Sequence, residues 1–255
     1  MKELAGNWFR ADQKETASTM LDLLLPELQS RKEEFVLVTA DFQTAGRGQH
    51  GTAWEAERGK NLLFGFSLHP GFLKAGEQFR LSEILALAIA AALDGYTDGG
   101  FCIKWPNDIY WHGHKMGGIL IECTLSGGMV KDCIMGVGIN VNQEEFVTVE
   151  KHPLSLIHII HRKTNREVLL HDIIHNLHDY LFRIEHKQYD FILAEYEQSL
   201  YRGRGYHKYR DANGTFMARF ISIDPTGHIN LRDDDGMLRN YACKEVEFLD
   251  EEEQY

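Results

Sequence analysis

The sequence has no paired cysteines. Cys102, Cys123, Cys133 and Cys243 are scattered through 255 residues with no C-x-x-C spacing, which argues against a disulfide framework or a cysteine-built zinc site and leaves thiols that pack as small hydrophobes. A long apolar run is also missing. The longest, Ile84 to Leu93, is too short and too alanine-rich to span a bilayer, and Met1-Lys2-Glu3-Leu4 opens no signal peptide. Both absences point to a cytoplasmic protein with no membrane partner. Nor is there a basic excess: 27 Lys and Arg face 38 Asp and Glu, a formal charge of −11. Binding a polyanion draws on clusters of Lys and Arg, so nucleic acid is excluded as the main partner. No helix-turn-helix fits ahead of the first helical pattern, and no internal repeat or low-complexity linker interrupts the chain. The acidic run Asp250-Glu251-Glu252-Glu253 reads as a solvated terminus.

What is present suffices for a real core, since 44% of the residues are apolar. Ser18 or Thr19 can cap a helix through Met20, Leu21, Leu24 and Leu28, with Pro26 limiting it. Phe35 to Ala40 is a strand, and Leu81 to Leu93 the clearest helix, apolar nearly all round and so packed on more than one side. Strands are expected over Phe101–Trp105, Lys115–Thr124 and Val130–Val141, the later ones separated by His112-Gly113 and Ser126-Gly127-Gly128 as an antiparallel meander. Helices dominate from Ser155 to Leu200, with Thr164 and Glu167 at capping-box spacing. Composition changes at Arg202-Gly203-Arg204-Gly205. Short strands around Phe216–Ile223, Ile229–Arg232 and Leu238–Phe248, split by aspartate- and glycine-containing turns, then suit a small SH3-like β-barrel.

Three segments carry chemistry. Gly46-Arg47-Gly48-Gln49-His50-Gly51, with Trp54 beyond it, matches G-x-G-x-x-G, but a dinucleotide loop needs a helix opening at its last glycine. Here Asn61 to Leu68 follows, a β-rich run, so any phosphate must be held by backbone N–H groups and the Arg47 guanidinium. The second segment is Lys104-Trp105-Pro106-Asn107-Asp108, followed by Lys115-Met116-Gly117-Gly118. It offers two point-charge phosphate binders, glycines that let backbone come close, and oxygen ligands (Asn107, Asp108) of the sort Mg²⁺ takes beside a nucleotide. The third is Gly136-Val137-Gly138-Ile139-Asn140, a strand with room against its face. Taken singly, each has a bland reading as a glycine-rich turn, surface charge or bulge. His171, His175 and His178 share a helical face but have no acidic or cysteine partner spaced with them, so they read as the polar face of an amphipathic helix.

In their order and spacing from Ser18 to Asn142, these segments closely resemble the biotin protein ligases, in the short form that lacks the DNA-binding domain of the biotin-operon repressors. The resemblance implies an α+β fold: a mixed, mainly antiparallel sheet flanked by helices, as residues 1–202 of a biotin- and ATP-binding catalytic domain, with residues 203–255 as an SH3-like domain. It implies ATP-dependent transfer of biotin, through biotinyl-5′-AMP, to a lysine of a carboxylase carrier domain, by a monomer or homodimer. Lys115, Arg47 and Lys104 match the catalytic cations. Ser18, Thr19, Gln43, Arg47, Gly48, Gln49, Lys115, Gly117 and Gly118 match the biotin side. Arg47, Gln49, Trp54, Lys104, Asn107, Lys115 and Asn140 match the nucleotide side, with Asp108 as a magnesium ligand. Met20, Gln49 and Thr52 depart from the family pattern, the last two replacing basic residues, so the loop is expected to release the adenylate faster than an arginine-bearing relative. The neighbouring readings are a lipoate or octanoate ligase or transferase, whose R-R-x-[ST]-G-G loop is absent, and a biotin-binding module without turnover, against which the two lysines argue.

Overall fold

The structure, a computed structural model, describes residues 7–31, 33, 35–48, 51–147 and 152–249. Gln49 and the acidic run from Asp250 lie outside the described residues. A seven-stranded mixed sheet organises the first two hundred residues. It consists of β1 (Trp8–Gln13), β2 (Phe35–Ala40), β3 (Leu62–Leu68), β4 (Phe101–Lys104), β5 (Asp108–Trp111), β6 (His114–Ser126) and β7 (Met129–Ile139), in the order β1-β2-β3-β7-β6-β5-β4. Only β1 and β2 pair in parallel, and every other neighbour is antiparallel.

Two of these strands are additions to the sequence reading. Strand β1 reads Trp-Phe-Arg-Ala-Asp-Gln, too polar to announce itself, and it sits at the sheet edge beside β2. Strand β5 follows the Trp105-Pro106 turn, whose peptide bond is cis. Helix α1 (Thr19–Asp22) and helix α2 (Pro26–Gln29) replace the single expected helix, because Pro26 lacks the amide hydrogen that would continue the first into the second. Ser18 occupies the N-cap position of α1 without a side-chain capping bond.

One face of the sheet carries α3 (Phe79–Asp94), where every residue from Arg80 to Ala90 is buried. The reason is a second layer. Helix α5 (Arg166–Glu185) packs on α3 through Leu169, Leu170, Ile173, Ile174 and Leu177, and Asn176 donates to the Ala88 carbonyl at 3.2 Å. Asn165, rather than Thr164, is the N-cap of α5, its side chain accepting from the Glu167 amide at 2.9 Å. Helices α4 (Leu156–Ile160) and α6 (Tyr189–Gln198) complete the helical stretch.

The C-terminal part is a five-stranded antiparallel sheet of β8 (Tyr206–Asp211), β9 (Gly214–Ile223), β10 (Ile229–Asp233), β11 (Leu238–Tyr241) and β12 (Glu247–Phe248), in the order β11-β10-β9-β8-β12. It is joined to the main sheet through the cis-proline turn. The Trp105 indole donates to the Gly227 carbonyl at 2.9 Å, Tyr196 OH donates to the Pro106 carbonyl at 2.8 Å, and the Ile223 amide donates to Glu197 at 2.9 Å. Among the described residues no helix is long and apolar enough to cross a membrane.

Candidate active site

The opposite face of the main sheet is floored by glycine on three adjacent strands. Gly65 of β3 is paired with Gly136 of β7, and Gly138 of β7 with Gly118 of β6. Each missing side chain is replaced by a group lying on the sheet. A Cβ at Gly65 would come within 3.1 Å of Thr19 Oγ1, one at Gly136 within 2.6 Å of Met20 Sδ, and one at Gly138 within 2.4 Å of the Trp54 indole. The glycines therefore admit α1 and Trp54 to the floor of a cleft of about 240 Å³.

At one end the chain after β1 runs beside the chain after β2, with Thr44 and Ala45 amides donating to the Thr16 and Ala17 carbonyls. This brings Ser18 and Thr19, both buried, next to Gln43. Gln43 Oε1 accepts from the Thr19 amide at 2.8 Å and from Thr19 Oγ1 at 3.2 Å, so the three expected ureido-binding residues form one polar cluster. Met20 adds sulfur and methylene where a polar side chain would have given a further hydrogen bond.

The glycine loop turns back as a hairpin. Arg47 bridges Ala53 in antiparallel fashion, the Gly48 amide donates to the Thr52 carbonyl at 2.6 Å, and the Trp54 amide donates to the Gly46 carbonyl at 2.9 Å. Among the described residues no α-helix follows between Thr52 and β3, as the β-rich run after the glycines led us to expect. Arg47 and Gly48 line the cleft, and the Arg47 guanidinium lies 3.8 Å from Glu122. Both groups are more than a third exposed, so that pair contributes little and leaves the guanidinium able to swing to an anion.

At the other end, Lys115 Nζ is 2.5 Å from Asp108 Oδ2 and 6.0 Å from the centre of the Trp54 ring. The ammonium is only 13% exposed, so the carboxylate partner matters. Asn107 Nδ2 donates to the Ile119 carbonyl and the Ile119 amide to the Asn107 carbonyl at 3.2 Å, clamping β5 to β6 so that Asp108 meets Lys115. Asn140 donates weakly to the Lys115 carbonyl at 3.5 Å, and its Oδ1, like Trp54 Nε1, is buried with no hydrogen-bond partner among the described residues. Both orphaned atoms belong to residues that line the cleft, and a bound ligand with polar edges would satisfy them.

Not every expected residue comes to the cleft. Lys104 does not line it; its ammonium lies 3.3 Å from Tyr110 OH and 4.9 Å from the Tyr110 ring centre. Gly117 also stays out of the lining, packed where a Cβ would come 3.0 Å from the Gly138 carbonyl. Asp108 serves as the partner of Lys115, and among the described residues no three His, Cys, Asp or Glu side chains are grouped to hold a metal, the His171 and His175 pair included. The sequence reading missed Glu55, Phe146, Pro153 and Lys244, which line the cleft from loops with no motif of their own. A larger, more open groove around His112, His114, His152 and His207 contains none of the glycine floor.

Residues 12–140 match the model of the Biotin/lipoate A/B protein ligase family. The bifunctional ligase/repressor BirA of Bacillus spizizenii is 29% identical over 220 residues, which cover 82% of this chain and 65% of that protein, so the chain spans just under two thirds of its relative's length. The biotin–[acetyl-CoA-carboxylase] ligase of Mycobacterium tuberculosis is 31% identical over 132 residues, 51% of this chain and 48% of that one. In fold, the chain is similar to the biotin protein ligase of Aquifex aeolicus solved with biotin and ATP, at a TM-score of 0.76 and 24% identity, covering 93% of this chain and 97% of the other.

Proposed function

From the premise that this chain belongs to the Biotin/lipoate A/B protein ligase family, we propose that it activates biotin with ATP and transfers it to a lysine of a carboxylase carrier domain. The carrying observation is the Lys115–Asp108 pair at the end of a glycine-floored cleft whose other end is the Ser18, Thr19 and Gln43 cluster. A ureido ring has two N–H donors and a carbonyl acceptor, which such a cluster can satisfy, while Met20 and Trp54 offer apolar walls to the rest of the molecule.

A carboxylate is a poor acylating agent, so one of its oxygens must first become part of a leaving group. The biotin carboxylate attacks the α-phosphorus, a new P–O bond forms, the bond to the β-phosphate bridge breaks, and pyrophosphate departs with the electron pair. The amine of the carrier lysine then attacks the acyl carbon, AMP leaves, and the amine proton is lost to solvent. Anion attacking anion needs fixed positive charge where charge develops. Lys115 is placed for that task, held by Asp108, and Arg47 can leave Glu122 to join it. The donor set suits a magnesium ion that arrives with the nucleotide rather than a built cage: Asp108 would hold it with the phosphates, and it would supply further neutralisation of charge. Four free thiols fit a reducing cytoplasm.

Incubation with ATP, Mg²⁺, labelled biotin and an apo carrier domain is expected to place label on the carrier. Transfer of lipoate or octanoate with no transfer of biotin would overturn the reading.

A further inference from the structure

Lys244 belongs to the C-terminal sheet yet lines the same cleft as Asp108 and Lys115. It stands in the turn after β11, and that turn is fixed. The Glu245 amide donates to the Ala242 carbonyl at 3.1 Å, the Glu245 carboxylate accepts from the Ala242 amide at 2.8 Å, and Tyr241 and Val246 are buried on either side. Lys244 has φ of +71°, in the left-handed region that glycine takes freely and that costs an L side chain roughly 1–2 kcal/mol. The chain nevertheless carries a long cationic side chain there, at a position that lines the cleft. Burial pushes the pKa of the adjacent Cys243 thiol up, and the charges of Lys244 and Asp108 act on it in opposite directions.

The order of groups across the floor gives the cation its place. From Met20 over Gly136, the cleft passes Trp54 over Gly138 and Gly118, then Lys115 on β6 and Asp108 on β5, and Lys244 reaches in from the second sheet. A nucleotide whose α-phosphate meets Lys115 would extend its remaining phosphates toward that end. We propose that Lys244 binds the β- and γ-phosphates of ATP, so that the C-terminal sheet contributes directly to the nucleotide site and receives the pyrophosphate as it leaves.

The inference rests on the ATP-dependent reading, and the experiment separates the two. The full chain, saturated with biotin, is titrated calorimetrically with α,β-methylene-ATP, which keeps three phosphates but cannot be cleaved, and with AMP. Lys244→Ala and Lys244→Gly are expected to weaken binding of the triphosphate about tenfold, the scale of one charge-assisted contact, with AMP affinity unchanged and Lys244→Arg close to wild type. Glycine suits the backbone at this position, so Lys244→Gly should unfold no earlier than wild type, and a triphosphate-specific loss in that variant is not a folding defect. Equal triphosphate affinity in Lys244→Gly and wild type, equal loss for AMP and triphosphate, or a wild-type chain that binds neither would overturn the assignment. A wild-type chain that binds the triphosphate through Lys244 but transfers no biotin would overturn the ligase reading alone.

Discussion

At the scale of single residues the candidate chemistry is concentrated in Lys115. Its ammonium is largely buried, its charge is matched by Asp108, and Trp54 lies across from it. Removing one group that stabilises developing charge in such a site costs on the order of 10²–10³ in rate. Lys115→Ala is therefore expected to lower biotin-dependent pyrophosphate release by about that factor while leaving the unfolding midpoint near wild type. Asp108→Asn should also lower the rate, because it loosens the ammonium and weakens the proposed magnesium ligand, and raising the Mg²⁺ concentration should recover part of that loss. Unchanged pyrophosphate release from Lys115→Ala would remove the lysine from its role. The sequence made Lys115 and Asp108 visible because both sit inside a spaced motif. It gave no sign that Lys104 would lie outside the cleft lining, because a strand end says nothing of which neighbours its side chain meets, and here Tyr110 is one of them. Lys244 was invisible for a different reason: it lines the site from the second sheet, which meets the first through contacts between residues far apart in the chain, Trp105 with Gly227 among them.

At the scale of elements, periodicity found what is strongly periodic or uniformly apolar. Helix α3 was legible because it is covered by both the sheet and α5, whereas β1 was not, since its alternating Arg10 and Asp12 answer to Glu167 and Thr39 rather than to a core. The glycines of β7 were legible as space, but their occupants were not. Those occupants make a testable difference between two adjacent glycines. A Cβ at Gly138 would meet the rigid Trp54 ring at 2.4 Å, while one at Gly136 would meet the flexible end of Met20 at 2.6 Å. Gly138→Ala must push an indole off the sheet, so it is expected to cost about 1–3 kcal/mol, the usual range for overpacking, and to weaken nucleotide binding. Gly136→Ala, relieved by a rotamer change in Met20, should cost less than half of that and act mainly on the KM for biotin. Denaturant unfolding together with separate KM values for biotin and ATP would check the pair. Equal effects of the two substitutions on every measure would contradict the assigned occupants.

At the scale of the whole molecule, a composition break at residues 202–205 marked where the second sheet begins, and β8 starts at Tyr206. Arg202, at the start of that break, is tied forward, donating to the Leu249 carbonyl at 2.5 Å. The aspartates read as turn formers have a second use that no turn rule contains. Asp211 closes β8 against β11: Tyr241 OH donates to it at 2.7 Å, the Asn213 amide donates at 2.8 Å, and Arg239 lies at 3.2 Å. The Tyr241 hydrogen bond, with the Asn213 amide next in weight, holds the Asp211 carboxyl below the ordinary aspartate value of 3.8. A carboxylate whose folded pKa is depressed gives stability that is present above its unfolded value and is lost as pH falls through the folded one. For Asp211 that places the full contribution above pH 3.8 and its loss below. Asp211→Asn keeps a side-chain acceptor but removes the charge, so its urea midpoint should lie below that of wild type at pH 6, and the gap should close as the solution is taken below pH 3.8. Asp224, also depressed, is common to both proteins and drops out of the difference, whereas Asp233 shares Arg239 with Asp211 and is read together with it. A gap that stays constant from pH 6 into that acid range would show that the charge of Asp211 does not support the second sheet, the sheet from which Lys244 is presented.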